Sequence, residues 1–234
     1  MNLKSKIIIL LAIVFAGCVQ ADLPTNWNGL IEVKSKRMDA VYLLPGADFR
    51  PYVKVMIDPS VVAFQKNWLR DMNSSQQIGM ASRRITKTDA QEIIQSAQKN
   101  FDQVFAETLT KNGFMVVTEP GPDVLHLSPG VANLYINAPA VNGPTSADVY
   151  TLEAGEGTLA LEVRDSQTNT ILGSVVDTRE TRNFGVMQIS NQSTNISDYR
   201  ALVNTWASIC AKGLDELKAN SPVPLDLQPM QKIK

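Results

Sequence analysis

The sequence predicts an α+β fold, a single mixed and largely antiparallel sheet of about five strands with two amphipathic helices packed on it. Three observations lead there. Apolar residues recur at steps of three and four from Asp89 to Asn112 and again from Asp198 to Ala219, which is the helical period. Short runs alternate at period two, the clearest being Thr158 to Arg164 and Ile171 to Arg179 around a polar turn, the mark of half-buried strands joined as a hairpin. A strand, helix, strand order in the first half followed by a hairpin in the second is best satisfied by one sheet carrying both helices.

In chain order, the first segment is a leader. Lys4 and Lys6 precede an apolar run from Ile7 to Val14, and Phe15-Ala16-Gly17-Cys18 closes it. A basic start, a short hydrophobic middle and small residues before a cut are the anatomy of a secretory signal. A cysteine where the mature chain would begin marks it as a bacterial lipoprotein signal, with Cys18 as the lipidation residue. The run is much shorter than the roughly 20 residues of a spanning helix. Acyl chains on Cys18 are expected to anchor the protein in the lipid bilayer. Val19 at the next position favours, by analogy with lipoprotein sorting, the outer membrane with the domain facing the periplasm. The expected division is therefore a removed signal over 1–17, an acylated N-terminus and tether over 18–38, a globular domain over 39–219 and a mobile C-terminal tail over 220–234.

Within the domain, Tyr52 to Ala63 alternates Val53, Val55 and Ile57 and is interrupted at Asp58-Pro59, giving a first core strand. Gln65 to Lys87 is polar and reads as a long surface loop with some irregular helix. The first helix has Thr88 and Gln91 as a capping box, Gly113 as its left-handed stop, and Ile93, Ile94, Ala97, Phe101, Val104, Phe105 and Leu109 on one face. A strand from Phe114 to Thr118 follows. After Glu119-Pro120-Gly121-Pro122, two extended pieces are expected, broken at Ser128-Pro129-Gly130. Ala138 to Gly157, rich in Pro, Gly, Ser and Thr, reads as a loop. The hairpin turns at Asp165-Ser166-Gln167-Thr168-Asn169, and the last helix turns Leu202, Val203, Trp206, Ile209, Cys210, Gly213, Leu214 and Leu217 inward.

Composition narrows function by exclusion. Of 234 residues, 44% are hydrophobic and 19% charged, with a formal net charge of −1. Losing Lys4 and Lys6 makes the mature chain more acidic still, so nucleic acid is not an expected partner. With Cys18 committed to lipid, Cys210 has no partner for an internal disulfide, and its apolar neighbours predict a buried, inert thiol.

Lipobox, tether, the VKVMIDPSVV strand, the helix after Thr88, the run TLALEVRDSQTNTILGSVVDTRET and a Trp-bearing last helix together resemble a bacterial lipoprotein family labelled domain of unknown function 3313. The likeness covers about Met38 to Leu217, and its most specific piece is the hairpin with Arg164-Asp165-Ser166 at the turn. It implies neither an activity nor a catalytic residue.

Candidate chemistry is sparse. His126, the single histidine, sits in an alternating VLHL segment without a nucleophile-elbow pattern, so a strand position explains it better than a triad. One histidine and one spare cysteine do not make a zinc site. Glu153 with Glu156, and Glu162 with Asp165, are carboxylate pairs of the kind glycosidases use, but they stand in or beside turns, where solvated charge is usual. Gly155-Glu156-Gly157 lacks the rest of a phosphate-binding fingerprint. Lys66, Arg70, Arg83, Arg84 and Lys87 surround Trp68; an exposed Trp among arginines has the character of an interface hot spot, and Trp68, Arg70, Arg83 and Arg84 are the candidate partner contacts. No catalytic residue, metal or cofactor is expected beyond the covalent lipid at Cys18. The leading expectation is a non-enzymatic envelope component that binds an envelope protein or itself. A carrier for a small hydrophobic ligand or lipid, with its pocket between helix and sheet, comes second, and an envelope hydrolase third.

Overall fold

A computed structural model describes residues 29–75, 84–136, 149–153, 155–181, 183–190 and 192–233. The leader, Cys18 and Arg83 lie outside them. The fold is α+β as predicted, with more elements than the sequence disclosed: β1 (Ile31–Val33), β2 (Ala40–Leu43), β3 (Lys54–Ile57), β4 (Val61–Phe64), α1 (Trp68–Ser75), α2 (Lys87–Lys111), β5 (Met115–Val116), β6 (Val124–Ile136), β7 (Val149–Glu153), β8 (Gly155–Asp165), β9 (Ile171–Glu180), β10 (Asn183–Ser190) and α3 (Gln192–Ala219). One mixed sheet runs in the order β1-β2-β9-β8-β6-β3-β5, with β4 also paired to β6, and β7 and β10 form a separate ribbon.

The long hairpin is the spine. Strands β8 and β9 pair from Glu156 opposite Glu180 to Arg164 opposite Ile171. Its turn is built by Asp165, whose Oδ1 accepts the amides of Gln167 (3.0 Å) and Thr168 (2.6 Å), while Asn169 takes a left-handed φ of 59°, a conformation asparagine tolerates. Tyr52 donates its hydroxyl to Asp165 Oδ2 at 2.7 Å, tying the turn to the segment ahead of β3.

The two expected pieces of β6 are one strand. Pro129 lacks an amide hydrogen, yet it falls where β6 changes neighbours: β3 pairs with Val124 to Leu127 and β4 pairs from Gly130 onward. No ladder bond is lost there, so the proline does not break the strand. Gly155, which opens β8, is required by close approach, because an added Cβ would stand 2.2 Å from the Tyr135 carbonyl oxygen. Part of the expected 138–157 loop is strand for the same reason: from Gly155 the chain lies against β6.

Helix α2 begins two residues before the expected start. Its box is Thr86 with Asp89: Thr86 Oγ1 accepts the Asp89 amide at 3.1 Å and Asp89 Oδ2 accepts the Thr86 amide at 2.8 Å. Ile85 and Ala90 pack in one small cluster, which supplies a hydrophobic staple across this box and selects it over the Thr88 alternative. Phe101, Phe105 and Leu109 of α2 and Val203, Trp206 and Ala207 of α3 are fully buried against Val55, Leu125 and Leu159 of the sheet. Each buried Val, Leu or Phe among them contributes on the order of 1.5–3 kcal/mol. The helices touch each other through Thr108 Oγ1 donating to Asn204 Oδ1 at 2.9 Å.

Two boundary expectations need correction. The tether read over 18–38 ends earlier, since β1 pairs with β2 and Val33 and Met38 are buried. The tail read as mobile is packed: Val223 and Leu227 are buried, Val223 exchanges backbone bonds with Gly46 and Ala47, and Lys34 donates to Gln231 at 3.0 Å. The prolines prevent a helix there without preventing burial of the apolar residues between them.

Candidate functional site

Helix α3 crosses the β1-β2-β9-β8 half of the sheet and leaves a cavity of about 480 Å³ beneath it. It is half-open to solvent, and its size falls within the roughly 300–1,000 Å³ of small-molecule sites. Its deep wall is apolar, from Leu43, Leu161 and Val163 on the sheet and Cys210 and Leu214 on the helix. The opening lies between the segment Lys34 to Arg37, the end of α3 and the last residues Lys232 and Ile233.

The opening is shaped by short polar contacts. Ser35 Oγ accepts the amides of Arg37 (3.2 Å) and Met38 (3.1 Å), folding the loop between β1 and β2. Arg37 Nη1 reaches Glu216 Oε1 of α3 at 2.7 Å. Both partners are exposed, so the pair itself contributes little stability but sets one side of the mouth. Lys34, Lys36 and Lys232 stand exposed around the same opening.

Behind the cavity lies a buried carboxylate. Asp177 on β9 accepts Trp206 Nε1 (2.9 Å) and Arg179 Nε (2.6 Å) at Oδ2, and the Asp39 amide (3.1 Å) at Oδ1. Arg179 in turn donates to the Arg37 carbonyl at 2.6 Å. Cys210 lines the cavity wall and is buried as expected; burial first, and the charge of Asp177 second, push its thiol up to about 12.

A second polar group occupies the opposite sheet face, which alternation assigns to the residues between Leu125, Leu127, Leu161 and Val163. Ser128 Oγ donates to Asp58 Oδ2 at 2.6 Å. His126 Nε2 stands 2.8 Å from Asp58 Oδ1 without aligned hydrogen-bond geometry. Ser, His and Asp are thus adjacent, but Asp58 is the hub, and histidine does not bridge carboxylate and hydroxyl as nucleophile activation requires. Burial raises the Asp58 pKa, and the hydrogen bonds and charges of Ser128, His126 and Arg164 outweigh it, leaving the carboxyl below its ordinary value. Glu162 is held by Arg164, and Asp165 is spent on its turn, so these two acids do not face one substrate. Glu156 is exposed; the side chain of Glu153 lies outside the described set. Among the described residues no group of three His, Cys, Asp or Glu side chains is placed to hold a metal ion, and no helix is long and apolar enough to cross a membrane.

Among the described residues, which do not include Arg83, the expected partner contacts do not come together around an exposed ring. Trp68 is 1% exposed, stacks on Phe64 with ring centroids 3.8 Å apart and donates Nε1 to the Ile136 carbonyl at 3.1 Å. It is the centre of a small core with Met72 and Ile85, because α1 turns it inward, so it offers no ring to a partner. Arg70 is exposed and bonded to Asp71, and Arg84 is exposed at the entry to α2. Sequence reading placed a pocket between helix and sheet in its second alternative but not the residues that line it, because its mouth comes from segments taken as tether and tail. The basic run Lys34-Ser35-Lys36-Arg37 beside Val33 and Met38, and the apolar Val223 and Leu227 between prolines, were the available signals.

Comparison with curated proteins finds no match. Among solved structures, the chain is similar to the PelC dodecamer from Paraburkholderia phytofirmans, at 14% identity over 72% of this chain and 96% of that one, TM-score 0.35. It is similar to a neuraminyllactose-binding hemagglutinin homologue from Helicobacter pylori, at 12% identity over 80% and 93%, TM-score 0.36. A minor lipoprotein from Acinetobacter baumannii gives 13% identity over 72% and 94%, TM-score 0.30. A family profile described as protein of unknown function, DUF3313, matches residues 20–209, most of the chain, and by that match the protein belongs to the DUF3313 family.

Proposed function

We propose that this protein is a non-enzymatic, lipid-anchored binding protein of the bacterial cell envelope, held by acyl chains on Cys18 at the outer membrane facing the periplasm, with a small hydrophobic ligand or lipid in the cavity under α3. The observation that carries the reading is the apolar cavity of about 480 Å³. It moves the carrier ahead of the assembly component that the sequence alone favoured, since the Trp68 hot spot is a core residue. The arrangement around Asp58, without a histidine-to-serine bond, supports a role without catalysis. Acyl anchoring would confine the domain near the lipid phase and raise its effective concentration there.

The test is purification of the acylated protein from membranes of producing cells, with mass spectrometry of what co-elutes. A stoichiometric hydrophobic molecule, absent from a variant with a filled cavity, is the expected result. Cys18→Ser is expected to release the protein from membranes, and retention of that variant would refute the anchor.

A second reading, self-association or docking of an envelope protein, is favoured by one observation. Strand β5 ends the sheet; its Met115 and Val116 are 60% and 40% exposed, and Val53 ahead of the neighbouring β3 is 50% exposed. An open apolar edge is a template for strand pairing. A photo-cross-linker at Met115 that captures a second copy or one defined protein in intact cells would support it.

A further inference from the structure

We infer that the ligand is an anionic amphiphile with a single acyl chain, seated with its chain between Val163 and Leu214 and its acidic head among Lys34, Lys36 and Lys232. The inference rests on the cavity being a ligand site, and adds the chemistry of what it takes.

Two features point to it. The first is the gradient of polarity from wall to mouth. The deep residues carry no charge, whereas the lining residues at the surface hold four cations against one carboxylate, Glu216, which is already engaged by Arg37. Among the described residues no carboxylate pairs with Lys34, Lys36 or Lys232, and a basic cluster in a chain of net charge −1 is a local departure from its composition. An apolar slot with a basic mouth complements a chain with an anionic head; a peptide would bring amide groups that the apolar wall cannot satisfy.

The second feature is Gly213. Glycine inside a helix is unfavourable relative to alanine, so a glycine in the body of the 28-residue α3 calls for a reason. Packing does not supply one, because an added Cβ at Gly213 meets no atom within 4 Å. It lines the cavity, and what its missing side chain leaves is space for a ligand.

The experiment uses the full chain carrying Cys18→Ser, purified without detergent and titrated calorimetrically with palmitate, palmitoyl lysophosphatidylglycerol and hexadecanol below their aggregation concentrations. Palmitate or the lysophospholipid, or both, are expected to bind one per chain, the preference between them telling a carboxylate from a phosphate head. Hexadecanol is expected to bind at least tenfold more weakly, and laurate should fall below palmitate by roughly tenfold per pair of methylenes removed. Lys34→Glu with Lys36→Glu should weaken the anionic ligands about tenfold or more and leave hexadecanol unchanged, and added salt should act in the same direction. Gly213→Leu should weaken all three by tenfold or more with no fall in the unfolding midpoint. Hexadecanol binding as tightly as palmitate, or indifference to the charge reversals, overturns the anionic head and leaves the binding role standing. No saturable binding of any of the three removes the binding role, whereas undiminished binding by Gly213→Leu removes the cavity as the site and leaves the binding role to be placed elsewhere.

Discussion

Replacement of Asp177 tests the most interdependent part of the fold. Its carboxylate is buried and receives three donors: the Trp206 indole, the Arg179 guanidinium and the Asp39 amide. Asp177→Ala removes the acceptor from all three at once. The Trp206 nitrogen lies on a fully buried side chain and cannot turn to water, so it bears the full penalty of an unmade bond, about 1–3 kcal/mol. Arg179 retains access to solvent, with its side chain 32% exposed, and recovers part of its loss by hydration. Breaking a buried pair from one side costs about 3–5 kcal/mol, and the partial exposure of Arg179 places this substitution near the lower end, about 3 kcal/mol. For a domain of this size that is roughly 6–12 °C in Tm. Urea unfolding followed by tryptophan fluorescence reads the loss, and the same substitution in a Trp206→Phe background isolates the indole share. There the orphaned N–H no longer exists, so the cost of Asp177→Ala should shrink by about 1 kcal/mol or more. A cost below about 1 kcal/mol in the wild-type background, or an identical cost in both, would refute the view that this carboxylate organises the packing of α3 on β9.

Two further predictions follow from ionisable groups. Cys210, with its thiol pushed up to about 12 by burial and the charge of Asp177, is expected to resist iodoacetamide at pH 8 in the native protein and to react once the chain is unfolded; rapid native alkylation would contradict a thiol held protonated by its surroundings. Asp165 is raised by burial and lowered more strongly by the hydrogen bonds from Thr168, Tyr52 and Gln167, so its folded pKa lies below the ordinary 3.8. It therefore contributes stability above the unfolded value, and that contribution is lost as pH falls through the folded one: the gap in urea midpoint between wild type and Asp165→Asn should be widest near pH 7 and narrow by pH 3, and a gap independent of pH would contradict the assignment.

The elements legible in the sequence were those whose pattern is local and long. α2, α3 and the β8–β9 hairpin carry their period over ten residues or more, and Asp165 announces its turn by chemistry that acts within four residues. What escaped was structure decided by distant partners. Strand β1 has three residues and becomes a strand because β2 and the C-terminal segment lie beside it. Pro129 reads as a break until β6 is known to change neighbours at that position. Trp68 among basic residues reads as an exposed anchor until Phe64, Met72 and Ile85 are placed around it. The candidate site belongs wholly to this second class, since its walls come from β1, β2, β8, β9, α3 and the last residues of the chain, and no local periodicity encodes their meeting. Gly213 is the exception: a glycine amid a strong helical pattern was visible, and only its reason was not.

The position of the cavity mouth also bears on how an anchored binding protein would meet its ligand. The mouth is built from residues that directly follow β1, and β1 begins at Ile31, thirteen positions after Cys18. Even at full extension such a stretch spans at most about 45 Å. With Cys18 acylated as proposed, the start of β1 cannot stand farther than that from the point of anchorage, and the opening, part of which directly follows β1, would stay near the membrane leaflet that holds the protein. The cationic rim then acts twice: Lys34, Lys36 and Lys232 would draw the mouth toward anionic head groups by an attraction that falls off over roughly 10 Å at moderate salt, and the same residues would hold the head of a single-chain molecule once its tail has entered. A ligand arriving through water gains nothing from such a short connection, whereas one that partitions into the leaflet is presented at the mouth. Lengthening the segment between Cys18 and β1 should accordingly slow uptake from vesicles carrying the acylated protein while leaving calorimetric affinity for dissolved palmitate unchanged.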